Sequence, residues 1–100
     1  MPRFRIVLDP RAEDDARQAF LWYAERSPVA ASDFQQLITR AAEDLAETAL
    51  VWPEREPGIR IRVLDRYPYT LMYRVKGDEV LIIAVAHQKR KPGYWRGRAW

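Results

Sequence analysis

The sequence predicts a single α+β domain, and three observations carry that expectation. Two adjacent segments each open on a capping residue followed by proline and repeat their apolar residues at spacings of three and four, as one face of a helix does. Beyond Gly58 the repeat falls to two, the period of a strand. The chain then closes on a continuous apolar run that suits a strand buried on both faces. A chain of 100 residues is one domain of ordinary size, spanning 1–100. It can bury about two-thirds of its unfolded surface and fold without staples.

The elements follow in order. Phe4 to Leu8 is a short apolar run suited to a strand. Asp9-Pro10 supplies an N-cap acceptor and a proline at the first helical position, so a helix starts there. Ala12, Ala16, Phe20 and Tyr23 or Ala24 form its apolar stripe, Glu13, Asp14, Asp15 and Arg17 face water, and it ends near Arg26. Ser27-Pro28 repeats the start signal, and Phe34, Leu37, Ile38, Ala41, Leu45 and Thr48 or Ala49 mark a longer second helix. So short a junction makes the pair an antiparallel hairpin. Ala41, Ala42, Ala46 and Ala49 combine high helix propensity with little bulk, which lets the helices approach closely. Trp22 and Trp52 flank the hairpin and read as packing residues.

Two prolines and a glycine make Trp52 to Gly58 a loop that leads from helix to sheet. In Ile59-Arg60-Ile61-Arg62-Val63 the alternation puts Arg60 and Arg62 together on one exposed face. From Tyr69 to Lys76, Tyr69, Leu71, Tyr73 and Val75 share a face, with Thr70, Met72, Arg74 and Lys76 opposite, so the sheet is expected to have a core side and a basic side. Gly77-Asp78 is a two-residue hairpin turn, and Glu79 to Ala86 returns as the apolar strand, expected in a central position. The predicted architecture is an N-terminal strand, an antiparallel helix hairpin and a three-stranded antiparallel meander. The first strand joins that small twisted sheet at a place the periodicity does not specify.

Composition narrows the function. The chain has no cysteine, which removes disulfides, thiolate nucleophiles and cysteine-ligated metals, and a single histidine makes a zinc site improbable. Its four glycines are scattered, so no phosphate-binding glycine loop exists. No cofactor is expected. The N-terminal apolar run is too short for a signal peptide, and no stretch approaches the roughly 20 apolar residues of a membrane span, so a cytoplasmic protein without membrane contact is expected. The overall charge of +3 divides unevenly: residues 1–57 carry 7 Lys and Arg against 11 Asp and Glu, and residues 58–100 carry 10 against 3. A net of −4 in one part and +7 in the other points to a polyanionic or acidic partner for the C-terminal part.

Particular residues then suggest a family. They are Pro10-Arg11-Ala12 after the opening strand, Ser27-Pro28 with Ala30, Ala31 and Phe34, and Arg62-Val63-Leu64 before Tyr67-Pro68-Tyr69. Tyr73-Arg74-Val75 follows, then Ala84-Val85-Ala86-His87 with Arg90, Pro92, Gly93, Tyr94 and Trp95. In this order and spacing the chain resembles, over nearly its whole length, the RelE/ParE superfamily of toxins from bacterial type II toxin-antitoxin modules. The resemblance implies a small α+β toxin neutralised by a cognate antitoxin in a hetero-oligomer. It implies one of two targets, messenger RNA on the ribosome or DNA gyrase.

Metal-free RNA cleavage uses the ribose 2′-hydroxyl as nucleophile and needs a proton acceptor, a proton donor and cations for the phosphorane charge. His87, Arg90, Tyr94 and Arg62 are the candidates for a ribonuclease, which would be metal-independent. Arg60, Arg62, Lys89, Arg90, Lys91 and Trp95 are the candidates for target binding. Pro92-Gly93-Tyr94-Trp95 either folds back as a plug on the sheet edge or stays exposed to stack on bases. The helix hairpin and the arginine-only strand favour a ParE-like toxin acting on gyrase. The alternatives are a RelE-like ribosome-dependent endoribonuclease and a harmless module that binds nucleic acid or an acidic protein.

Overall fold

The computed structural model describes residues 3–89 and 93–98. The order is β1 (Arg5–Leu8), α1 (Pro10–Arg26), α2 (Pro28–Thr48), β2 (Glu54–Glu56), β3 (Ile59–Val63), β4 (Tyr69–Lys76) and β5 (Glu79–His87). The five strands form one sheet in the order β1-β5-β4-β3-β2. β1 lies parallel to β5, and every other pairing is antiparallel. Parallel neighbours need a long crossover. The helix hairpin begins that crossover and covers one face of the sheet.

Local chemistry starts and stops the helices where the sequence indicated. The Asp9 carboxylate accepts the Arg11 N–H at 2.8 Å, and the Arg11 guanidinium donates to both its oxygens at 3.2 Å. The side-chain hydrogen bond from Arg11 is the main reason that the carboxyl of Asp9, only 5% exposed, titrates below its usual range. Ser27 serves both helices: its N–H donates to the Tyr23 carbonyl at 2.7 Å, and its Oγ accepts the Ala30 N–H at 3.1 Å. One residue thus ends α1 and caps α2, which is why the hairpin has almost no loop.

The core lies on both faces of the sheet. Under the helices, Ala12 and Ala19 of α1 and Phe34, Ile38, Ala41 and Leu45 of α2 pack on Leu71, Tyr73, Val80, Ile82 and Val85. Phe20, expected in the α1 stripe, is only half-buried, and Ala19 takes the core position. Tyr73 is fully buried and donates its hydroxyl to the Ala49 carbonyl at 2.6 Å, and desolvation pushes its phenol up to about 12. On the far face Ile59, Ile61, Met72, Leu81, Ile83 and Trp95 form a second apolar cluster. A sheet with one core side and one basic side, as expected from alternation, is therefore replaced by a sheet buried on both.

Three further differences from the sequence reading have physical reasons. The segment read as a loop contains β2, which pairs with β3 through Glu54↔Arg60 and Glu56↔Ile59. Gly58, at φ +80°, makes the tight return. The first strand takes the edge beside β5, which keeps β5 internal over Glu79 to Ile82. Finally, β5 is irregular: Met72 pairs with Ala84 but Tyr73 pairs with Ile82, so Ile83 is an extra residue. Leu81, Ile83, Ala84 and Ala86 then lie in the far cluster while Val80, Ile82 and Val85 lie under the helices. The bulge resets the alternation and turns His87 to the helix side, against Tyr69.

Candidate functional site

β1 pairs only as far as Leu8↔Ile82, so the second half of β5 has no strand along one edge. Side chains cover that edge. Asp15 of α1 accepts the Val85 N–H at 3.1 Å and the Tyr94 hydroxyl at 3.2 Å. Arg98 donates from Nη1 to Asp15 Oδ2 at 2.6 Å and to the Ile83 carbonyl at 3.1 Å, and from Nη2 to Asp15 Oδ1 at 3.2 Å. The two side chains are 12% and 13% exposed, and the bond that Arg98 donates to Asp15 makes the guanidinium still more basic. The C-terminal segment is thereby strapped to the first helix. Asp15, which the sequence placed in water, is the centre of that strap. No local pattern could reveal a pair 83 residues apart.

Within the strap Trp95 is buried in the far-face cluster, 7% exposed. Its ring therefore packs in the cluster and is not displayed to solvent, as the plug reading of Pro92-Gly93-Tyr94-Trp95 expects of Trp95, and Pro92 lies outside the described residues. His87 stands edge-on to Tyr69, ring centres 5.0 Å apart, and its Nδ1 accepts the Lys89 N–H at 3.0 Å. That bond leaves Nε2 to carry the proton of the neutral ring. His87 and Tyr94 line one cleft of about 460 Å³ with Trp22, Tyr23, Tyr69 and Asp15. Trp22, read as a packing residue, is 52% exposed, with Arg26 3.7 Å above its ring. Lys89 is exposed, while Arg90 and Lys91 lie outside the described residues.

Arg60 and Arg62 do not form the exposed basic face that alternation predicted. Their side chains are only 23% and 18% exposed and turn toward the end of α2. Arg60 donates to the Trp52 carbonyl and lies 3.9 Å from Glu54. Arg62 donates to Asp44 at 3.3 Å and lies 4.8 Å over the Trp52 ring. The odd residues Ile59 and Ile61 instead fill the far face, because that face is a core in its own right. Of the candidate ribonuclease set, the structure brings together His87 and Tyr94, and Arg62 lines no part of their cleft.

A second concavity lies between the helices and the β1 side of the sheet. It measures about 650 Å³, and Ala12, Ala16, Phe20, Ile38 and Ala42 give it an apolar floor, with Glu13, Arg17 and Glu43 at the rim. Small alanines from both helices, Ala12, Ala16 and Ala42, open this groove. Phe20, displaced from the core stripe, is part of its apolar lining.

A helix hairpin on a mixed five-stranded sheet, with the first strand ahead of the helices, is the architecture of a RelE/ParE superfamily toxin. The family model described as ParE toxin of type II toxin-antitoxin system, parDE, matches residues 6–92. The chain belongs to this ParE toxin family. It is similar to Toxin RelE3 of Caulobacter vibrioides, 31% identical over 84 residues that make up 82% of this chain and 91% of that protein. Its fold is similar to a chain of the solved structure titled Chromosomal ParDE TA system from P. aeruginosa. The TM-score is 0.77 at 24% identity, covering 87% of this chain and 98% of the other.

Proposed function

We propose that the protein is the toxin of a two-protein module in the cytoplasm, held inactive by an antitoxin and acting on DNA gyrase by binding rather than by cutting. One observation supports the choice of binding over cleavage: among the described residues, Arg62 stands apart from the cleft of His87 and Tyr94, and each of the three is already engaged. Arg62 is committed to Asp44 and Trp52, the Tyr94 hydroxyl to Asp15, and His87 Nδ1 to the Lys89 amide. A ribonuclease needs an acid, a base and a phosphate clamp converging on one atom. A gyrase inhibitor needs only a shaped surface. With Arg60 and Arg62 turned inward, the exposed Lys89 is the described residue left for target contact, and Arg90 and Lys91 join it by their place in the sequence.

The apolar groove between the helices suits an amphipathic helix of the antitoxin, with apolar anchors on Phe20 and Ile38 and polar contacts at the rim. Inducible expression with labelling of new DNA and new protein tests the target. Filamentation with continued translation is expected, and rapid loss of translation with new messenger RNA ends would overturn the reading. RNA cleavage stands second because His87 and Tyr94 share a cleft and the relative named Toxin RelE3 is similar over most of the chain.

A further inference from the structure

The even-numbered side chains of β4 face away from the helices, and Arg74 among them is half-buried at the Pro57-Gly58 turn. Its Nε is buried without a hydrogen-bond partner, and no carboxylate among the described residues pairs with its guanidinium. Arg74 lines a pocket of about 210 Å³ with Glu56, Ile59, Trp95, Arg96 and Arg98. Gly58 lets the turn close on this guanidinium, since a Cβ there would lie 3.0 Å from Arg74 Nη1.

Among the described residues, the charges around the pocket leave one cation over. Arg98 is matched by Asp15 at 2.6 Å and Arg96 by Glu56 at 3.1 Å, so neither carboxylate serves Arg74. A guanidinium nitrogen buried without an acceptor is costly, and such groups are ordinarily paired. We propose that this pocket is a receptor for a single carboxylate presented by an acidic segment of a protein partner. One carboxylate balances the one unmatched charge, and its planar oxygens match the fork of Arg74. The volume is several times the roughly 30 Å³ share of one water and below the roughly 300 Å³ at which small-molecule pockets begin, which suits a side-chain group.

The neighbouring strand favours a peptide over a nucleic acid. Glu56, the one carboxylate that lines the pocket, is matched by Arg96, and Glu54 lies against Arg60, so the choice rests on the backbone of β2. β2 is an edge strand of the described sheet, the one beside the pocket, so its outward backbone groups can accept an added extended segment that lays an acidic side chain over Arg74. The inference does not depend on which cellular target the toxin meets.

The test follows the assigned Arg74 Nε–H resonance of the ¹⁵N-labelled protein during titration with a terminally blocked hexaglutamate peptide, and in parallel with an oligothymidylate of equal charge. A saturable shift with the peptide is expected. Arg74→Gln should weaken peptide binding about tenfold, against less than about twofold for the exposed neighbour in Arg55→Gln, because a paired charge contributes more than a screened one. The wild-type titration decides even if Arg74→Gln fails to fold. An unmoved Arg74 resonance, equal losses in the two variants, or tighter binding of the oligonucleotide at Arg74 would overturn the proposal.

Discussion

Replacing Asp15 with alanine removes the carboxylate that four donors in three residues share: the Val85 amide, the Tyr94 hydroxyl and two nitrogens of Arg98. Breaking one partner out of a buried pair costs about 3–5 kcal/mol, because the other charge stays behind unpaired. Here Arg98 keeps its bond to the Ile83 carbonyl, and the terminal segment can lift into water, so the loss lies at the lower end, about 3 kcal/mol. For a domain of this size each kcal/mol lowers Tm by about 4–8 °C, so Asp15→Ala should melt about 12–24 °C below the wild type. The Val85 amide, deprived of its acceptor, should exchange with solvent faster than its neighbours on β5. Arg98→Ala should cost a similar amount, and the double variant little more than either alone. A change in Asp15→Ala within about 0.5 kcal/mol, or strict additivity in the double variant, would refute the strap as described.

Acid and alkali should report two other buried groups, and the groove should report the partner. The folded-state pKa of Asp9 is depressed, so its contribution to stability is present above the unfolded value near 4 and is lost as pH falls through the lower folded value. Asp9→Asn should flatten that acid limb in urea midpoints measured from pH 2 to 7, and an unchanged limb would contradict the assignment. Tyr73 has the opposite sign: its neutral form is held by burial, so its contribution is complete below its ordinary value near 10 and lost toward about 12. Absorbance of phenolate should show one tyrosine ionising last, and Tyr73→Phe should remove that step and cost about 1 kcal/mol through the unmade bond to the Ala49 carbonyl. Ala16→Arg would place a long charged side chain in the apolar groove. Growth arrest by this variant should no longer be relieved by the co-expressed antitoxin, and full relief would move the antitoxin to another face.

What was legible in the sequence was local. Asp9-Pro10 and Ser27-Pro28 announced both helix starts, because capping is decided by a residue and the amide two or three positions on. Gly77-Asp78 announced the hairpin, and the order of the elements followed except for β2, which was read as a loop. Alternation also grouped side chains correctly, placing Arg60 with Arg62 and Ile59 with Ile61. It did not say which group faces the helices, because that depends on whether the other face is wet. The C-terminal segment dries that face with Trp95, and the carbonyl of Trp52 and the carboxylate of Asp44 receive the two arginines at the end of α2. The bulge at Ile83 left no trace, since every residue around it is apolar, yet it decides that His87 points toward Tyr69. The Asp15–Arg98 pair joins opposite ends of the chain and belongs to the tertiary structure alone.

The central claim is that the toxin works by binding gyrase. Its most direct test is supercoiling of relaxed plasmid by purified gyrase, titrated with the purified toxin and repeated with antitoxin present. Loss of supercoiling that saturates with toxin and returns with antitoxin is the expected result. Full gyrase activity at saturating toxin, together with messenger RNA cleavage on added ribosomes, would contradict the account.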